Sequence, residues 1–210
     1  MDLSTTTLAV LAGGRGARMG MPKTALQLDN QPILAWQLGR LHWPGPTLLV
    51  TSPALANPPG AERFDRCASD KVEGLGPLAG LTTMFDHLAT PTAAVITVDM
   101  PLITRDQIAW LLGALTAQPD CLGLLCEVQT ARGPMIEPFP SVYRAGAAIT
   151  IVRRVAAGQL AIHDLRNESG FRVINPHPSW PQSAWTNLNY PKDMAAFQLS
   201  RNESPTENPT

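Results

Sequence analysis

Charged side chains are scarce in this sequence: Asp, Glu, Lys and Arg make up 16% of its 210 residues, against roughly 25% in an average globular chain. The 16 basic and 17 acidic residues nearly cancel, a balance that excludes a polybasic nucleic-acid binder and a polyacidic tail protein. Cysteine is also scarce, with Cys67, Cys121 and Cys126 the only three and no C-x-x-C pair among them. That argues against a disulfide framework or a structural zinc site and favours a reducing, cytoplasmic setting. No stretch approaches the ~18 uninterrupted apolar residues of a membrane helix. The first twenty residues lack a basic region before their apolar run, so no secretory signal is expected. Lysine occurs only at positions 23, 71 and 192, so a lysine inside an apolar-flanked loop stands out.

What is present points to a folded core. Hydrophobic residues reach 44%, too many for wholesale disorder. The 20 prolines are nearly double the usual ~5%, which favours many stiff loops over a long helical bundle. The length suits one domain, read as residues 1–199, with a polar, Pro-containing tail over 200–210 expected to be flexible.

Buried strands are expected at Thr6–Leu11, Thr47–Thr51, Ala93–Val98 and Cys121–Val128, with a weaker one at Phe64–Cys67. Helical spacing appears over Gln31–Leu41, Pro77–Leu88, Arg105–Ala117, Gly146–Ala157, Ala161–Asn167 and Pro191–Leu199. Met135–Tyr143, which contains two prolines, reads as an insertion or an edge strand, and Phe171–Ile174 and Ala184–Asn189 as short strands. The alternation predicts an α/β fold, a mostly parallel sheet with helices on both faces. Ligands of such sheets lie beyond the carboxyl ends of the strands. That places Gly13, Gly14, Thr51, Asp70 and Asp99 on one rim.

The first strand runs into Leu11-Ala12-Gly13-Gly14-Arg15-Gly16-Ala17-Arg18-Met19-Gly20-Met21-Pro22-Lys23. Its glycines permit positive φ and close approach of backbone to ligand, and successive N–H groups in such a loop cradle anions. Arg18 can hold phosphate oxygens bidentately, and Lys23 supplies a point charge for a leaving pyrophosphate. The loop fits neither known phosphate fingerprint. Met19 occupies the sixth position of G-x-G-x-x-G counted from Gly14, and Lys23 follows Pro22 instead of Gly. Asp99, at a strand end before Pro101, is a hard carboxylate suited to magnesium, although a turn role would also place an Asp there. Asp70 lies in a polar loop, where a turn role is equally natural. Gly76–Gly80 opens a helix whose free N–H groups can face an anion. Glu137-Pro138-Phe139-Pro140 either borders the pocket or forms an ordinary loop. The four histidines show no metal-ligand spacing, and the five tryptophans read as packing residues.

These residues resemble the nucleotidyltransferase superfamily and, more narrowly, the molybdenum cofactor guanylyltransferase family. Residues 11–23 match that family's opening pattern: Leu-Ala-Gly-Gly, three variable residues, Arg-Met-Gly, two variable residues and Lys. Gly76-Pro77-Leu78-Ala79-Gly80 and Val98-Asp99-Met100-Pro101 match two further blocks in order and spacing. Asn187-Leu188-Asn189-Tyr190-Pro191 resembles the late Asn-x-Asn-Thr-Pro, with Tyr190 in place of Thr. The resemblance implies a single Rossmann-like, three-layer α/β/α domain and transfer of GMP from GTP to molybdopterin-bound molybdenum, with loss of pyrophosphate and a requirement for Mg²⁺. Leu11, Ala12, Gly13, Gly14, Lys23, Asp70, Gly80 and Asp99 would bind the nucleotide, Asp99 the metal, and Arg18, Lys23 and Asp99 would carry the catalysis. The implied partners are the two substrates, with transient contact to molybdoenzymes or other cofactor-biosynthesis proteins, and neither nucleic acid nor membrane.

Two departures keep alternatives open. Pro22 stands where guanylyltransferases often carry Asp, and Pro-Lys is a feature of cytidylyl- and sugar-nucleotide transferases. The family often has Asn at the end of the second strand, where Thr51 lies. A cytidylyltransferase of the same cofactor or a sugar-1-phosphate nucleotidyltransferase is therefore the second reading, and a non-catalytic nucleotide-binding protein the third.

Overall fold

The computed structural model describes residues 2–13, 19–55, 57–71, 74, 76–130, 133–190, 192–194 and 197. The expected tail at 200–210, two loop residues of the expected site (Gly14 and Arg18) and most of the expected last helix lie outside the described residues. The described chain forms strands β1 (Thr6–Leu11), β2 (Gln27–Leu28), β3 (Gln31–Pro32), β4 (Thr47–Thr51), β5 (Arg66–Ser69), β6 (Thr92–Thr97), β7 (Gly123–Thr130), β8 (Gly133–Arg144) and β9 (Phe171–Ile174). Its α-helices are α1 (Ile33–Leu41), α2 (Pro77–Asp86), α3 (Arg105–Thr116) and α4 (Ala147–Ala156).

Seven strands make one sheet in the order β5-β4-β1-β6-β8-β7-β9. β1 is an interior strand, third in that order, buried along its whole length and parallel to β4 and β6 on its two sides. A strand covered on both faces carries no alternation: Leu8–Leu11 is continuously apolar, and the buried Thr6 and Thr7 hydroxyls are paired with those of Thr92 and Thr90. The helices flank the sheet, so the expected α/β architecture with a mostly parallel sheet is the observed one. β2 and β3 form a small separate hairpin, turned at Asp29 and Asn30, both at positive φ. Asx residues tolerate that left-handed pair well.

Local chemistry sets the helix starts. Pro77 begins α2 behind Gly76, where a missing N–H costs nothing. Thr104 and Gln107 exchange side-chain-to-backbone bonds in a capping box that opens α3. Gly123 on β7 leaves room for two rings: a Cβ there would lie 2.7 Å from Tyr143 and 2.9 Å from Phe171.

Several expectations need correction. Met135–Tyr143 is neither an insertion nor an edge strand; it belongs to β8, which lies between β6 and β7 and runs antiparallel to both. Its prolines are tolerated because of where the ladders break. β8 pairs with β7 over Gly133–Glu137 and again at Val142–Tyr143, with a register shift between, and with β6 only from Ser141 onward. Pro138 and Pro140 fall in the gap, where no ladder N–H is needed. The weak strand expected at Phe64–Cys67 lies two residues later, at Arg66–Ser69. Ile162–Asn167 forms 3₁₀ turns instead of an α-helix. Ala184–Asn189 is not a strand: Gln182–Trp185 is a 3₁₀ turn, and irregular chain follows to Asn189.

Candidate active site

At the carboxyl ends of β4, β1 and β6 the sheet opens into a cavity of about 380 Å³, lined by residues that include Gly13, Lys23, Ser52, Asp70, Gly80 and Asp99. This is the rim that a parallel sheet offers to ligands. Of the expected binding residues, Leu11, Gly13, Lys23, Asp70, Gly80 and Asp99 all border it. Ala12 lies just behind the wall, buried, its N–H donated to the Val50 carbonyl at 2.8 Å. Thr51 does not reach the cavity. Its hydroxyl is buried against the Ala68 carbonyl at 3.4 Å, because alternation along β4 turns it away and brings Val50 and Ser52 to the wall.

One end of the cavity is charged. Pro22 leads into a single 3₁₀ turn, Lys23–Ala25, which directs the Lys23 side chain inward. Its Nζ lies 2.5 Å from Asp99 Oδ2 and 2.6 Å from Asn189 Oδ1. Leu188, Asn189 and Tyr190 are fastened beside this contact. Leu188 N–H donates to the Asp99 carbonyl at 2.8 Å, and Asn189 and Tyr190 donate their N–H groups to Asp193 Oδ2 at 2.9 and 2.8 Å. Asn189 therefore faces the site, while Asn187 donates to the Trp185 carbonyl at 3.4 Å. Asp99 Oδ1 is buried and, among the described residues, has no hydrogen-bond partner.

On the β8 side, Phe139 contributes to the wall. Glu137, two residues earlier, has its carboxyl pushed up from an ordinary 4.5 to about 7, first by burial and then by the Asp99 charge. The segment left open between pocket and ordinary loop thus borders the cavity. The opposite end is formed by Asp70 and Ser52. Asp70 follows β5, with its N–H on the Thr51 carbonyl at 2.8 Å and its Oδ1 accepting the Thr83 hydroxyl at 2.7 Å. Burial raises its carboxyl above the ordinary range, partly offset by the Thr83 hydrogen bond.

Gly13 keeps the floor open: a Cβ there would lie 3.6 Å from Asp70 Oδ2 and 3.8 Å from Ser52 Cβ. Gly80 lets α2 lie against Leu11, whose Cδ1 would be 3.4 Å from a Cβ at that position. The start of α2, at Gly76 and Pro77, also borders the cavity, so the free N–H groups and positive dipole end of a ten-residue helix lie at its edge. Sequence reasoning missed Ser52, Val50 and Thr97. The usable signal was position, since residues at or just past the ends of neighbouring parallel strands share one rim.

Gly13 after β1, a lysine against a carboxylate and the start of α2 thus meet at one cavity. Residues 8–168 match the model of the MobA-like NTP transferase domain, and the chain belongs to that family of nucleotidyltransferases. Among its relatives, the molybdenum cofactor guanylyltransferase of Xanthomonas euvesicatoria pv. vesicatoria is 32% identical, over 87% of this chain and 93% of its own length. The probable molybdenum cofactor guanylyltransferase of Chloroflexus aggregans is 30% identical, over 90% of this chain and 91% of its own. The fold is also that of the molybdopterin-guanine dinucleotide biosynthesis protein A from Archaeoglobus fulgidus, with a TM-score of 0.78 at 22% identity over 94% of this chain and all of that one. Among the described residues no helix is long and apolar enough to cross a membrane.

Proposed function

We propose that this protein transfers GMP from GTP to molybdopterin-bound molybdenum and releases pyrophosphate, giving the guanine dinucleotide form of the cofactor. The observation that carries this reading is the Lys23–Asp99 contact at 2.5 Å, with the second Asp99 oxygen buried and without a hydrogen-bond partner among the described residues. A carboxylate with one oxygen on a cation and the other awaiting a partner suits a hard divalent ion. The donor set therefore fits Mg²⁺, with Asp99 as its protein ligand. When bound, the ion would neutralise charge on the triphosphate.

The reaction itself is an in-line displacement. An oxygen of the acceptor forms a bond to the α-phosphorus, the bond from that phosphorus to the β-bridging oxygen breaks, and the electron pair leaves with pyrophosphate. Such chemistry needs positioning and charge neutralisation more than covalent help from the protein. Lys23 is placed to meet the charge that develops on the leaving group. Asn189 holds the Lys23 ammonium in place from its far side. Arg18, outside the described residues, is proposed as a second cation for the phosphates. The names of the relatives support guanine as the base and the molybdenum cofactor as the acceptor. Transient contact with molybdoenzymes or other cofactor-biosynthesis proteins belongs to the same proposal.

Pro22 before Lys23 favours a cytidylyl or sugar-nucleotide transferase as the second reading. The test is pyrophosphate release by the purified chain with Mg²⁺. Release from GTP that requires molybdopterin-bound molybdenum supports the proposal; release from CTP, or with a sugar phosphate as acceptor, supports the second reading.

A further inference from the structure

Gln37 is 1% exposed, on the buried face that α1 forms with Ile33, Leu34 and Leu41. Burying a polar side chain there is costly unless its hydrogen bonds are made. Its Nε2 donates to the Thr97 carbonyl at 2.9 Å and to the Met100 carbonyl at 3.1 Å. Carbonyl oxygens only accept, so the group between them is the amide nitrogen, with both of its N–H bonds used. Its Oε1 is buried with no hydrogen-bond partner among the described residues. An aliphatic side chain would leave no such oxygen, so what distinguishes Gln37 is the pair of carbonyls it holds.

Those two carbonyls bracket Asp99. Thr97 ends β6, and the chain then turns through Val98, Asp99 and Met100, with the Met100 N–H on the Thr97 carbonyl at 3.2 Å. Val98 and Met100 are buried, and Pro101 brings no N–H. The turn leaves the sheet here: β6 pairs with β8 only as far as Val95, and past Thr97 the bond to β1 is the Val98 N–H on the Leu11 carbonyl at 3.1 Å. The same helix also meets the other member of the charged pair. Ile33, the first residue of α1, donates its N–H at 2.9 Å to the carbonyl of Leu26, which closes the turn that presents Lys23. α1 is thus the frame against which both Lys23 and Asp99 are set.

We propose that Gln37 is a positioning residue that fixes the backbone on both sides of Asp99 and so aims Oδ1 at the metal ion of a bound metal–triphosphate. It touches neither ion nor nucleotide and acts through Asp99. Mg²⁺ demands near-ideal ligand geometry, and a carboxylate keeps that geometry only when the chain carrying it is held. The inference rests on the reading above in which Asp99 holds Mg²⁺.

The test is equilibrium binding of GTP, with no acceptor present, in saturating Mg²⁺ and in EDTA. The readout is the ratio of the two affinities, and thermal melting verifies folding. Gln37→Met keeps the length and donates nothing. Gln37→Asn keeps the amide but is one methylene short of spanning both carbonyls. Leu165→Ala truncates a buried side chain outside the cavity and reports general destabilisation. The expected result is that both Gln37 variants lower the Mg²⁺ ratio about tenfold, the scale for groups that orient a metal ligand, with the affinity in EDTA unchanged. Leu165→Ala should lower the melting temperature and keep the ratio. A wild-type ratio in Gln37→Met, or in Gln37→Asn if the Met variant does not fold, overturns the proposal, as does equal weakening with and without Mg²⁺. A wild type that binds GTP equally in Mg²⁺ and EDTA, or an Asp99→Ala variant that keeps the wild-type ratio, overturns the metal reading itself, and that outcome is visible without any Gln37 variant.

Discussion

Lys23 and Asp99 lie 76 residues apart in the chain and their side chains meet at 2.5 Å, each largely shielded from solvent. The lysine comes from the loop after β1 and the aspartate from the turn after β6, neighbouring strands of the sheet. Parallel pairing thus joins two sequence motifs into one charged pair. The other Asp99 oxygen, buried and without a hydrogen-bond partner among the described residues, is the one proposed above to hold the metal ion.

Lys23→Ala is expected to weaken triphosphate binding and slow turnover, and Asp99→Ala to abolish turnover, each by at least about 100-fold, the scale for one electrostatic contact to a transition state. Steady-state kinetics on both variants, with nucleotide binding measured separately, makes the check. An Asp99→Ala enzyme turning over near the wild-type rate removes Asp99 from the site.

Gly13→Ala is expected to fold and fail to bind. No backbone strain stands in the way, and the new Cβ meets its neighbours at ordinary contact distances of 3.4–3.8 Å. The methyl group nevertheless fills the gap between Ser52 and Asp70. Calorimetry should show a nearly unchanged melting temperature together with a loss of GTP affinity. Retained affinity would remove Gly13 from the proposed nucleotide site.

Glu137 gives the site a pH dependence. Its folded carboxyl titrates at about 7 against an ordinary 4.5, through burial and the Asp99 charge. A raised acid pKa means that folding is penalised once the unfolded group ionises. The penalty is absent below about 4.5, grows as pH rises, and is complete above about 7. Glu137→Gln should therefore raise the melting temperature at pH 8 more than at pH 5. Equal shifts at the two pH values would show that the carboxyl is not held protonated.

How much of this was legible in the sequence follows from the physics of each element. β1, β4 and α3 were legible because continuous apolar runs and 3.6-residue spacing are local signals. β8 was not, because Pro138 and Pro140 argue against a central strand unless the ladder break is known, and that break exists only in the assembled sheet. Gly13, Asp70 and Asp99 could be placed on one rim from topology alone. The partners of Lys23 could not, because Asn189 reaches it from irregular chain that reads as a strand. Ser52 carries no motif; its position just past the end of β4 is what brings it to the cavity wall.

Gly45 tests the frame that holds β1 in place. A Cβ there would lie 2.5 Å from the Thr6 carbonyl oxygen and 2.6 Å from that of Leu3. Both are backbone atoms, so the chain itself must move. Gly45→Ala is expected to cost about 3 kcal/mol, which lowers the melting temperature by about 10 °C in a chain of this size. A shift of less than 2 °C would contradict the contact.

The central claim is guanylyl transfer to the molybdenum cofactor at this cavity. It is tested most directly by supplying the purified protein with Mg²⁺, molybdopterin-bound molybdenum and an equimolar mixture of GTP and CTP, and identifying the pterin product by mass. The account predicts a guanine dinucleotide and no cytosine dinucleotide, with the product lost in Asp99→Ala. A cytosine product, or no dinucleotide at all, would contradict it.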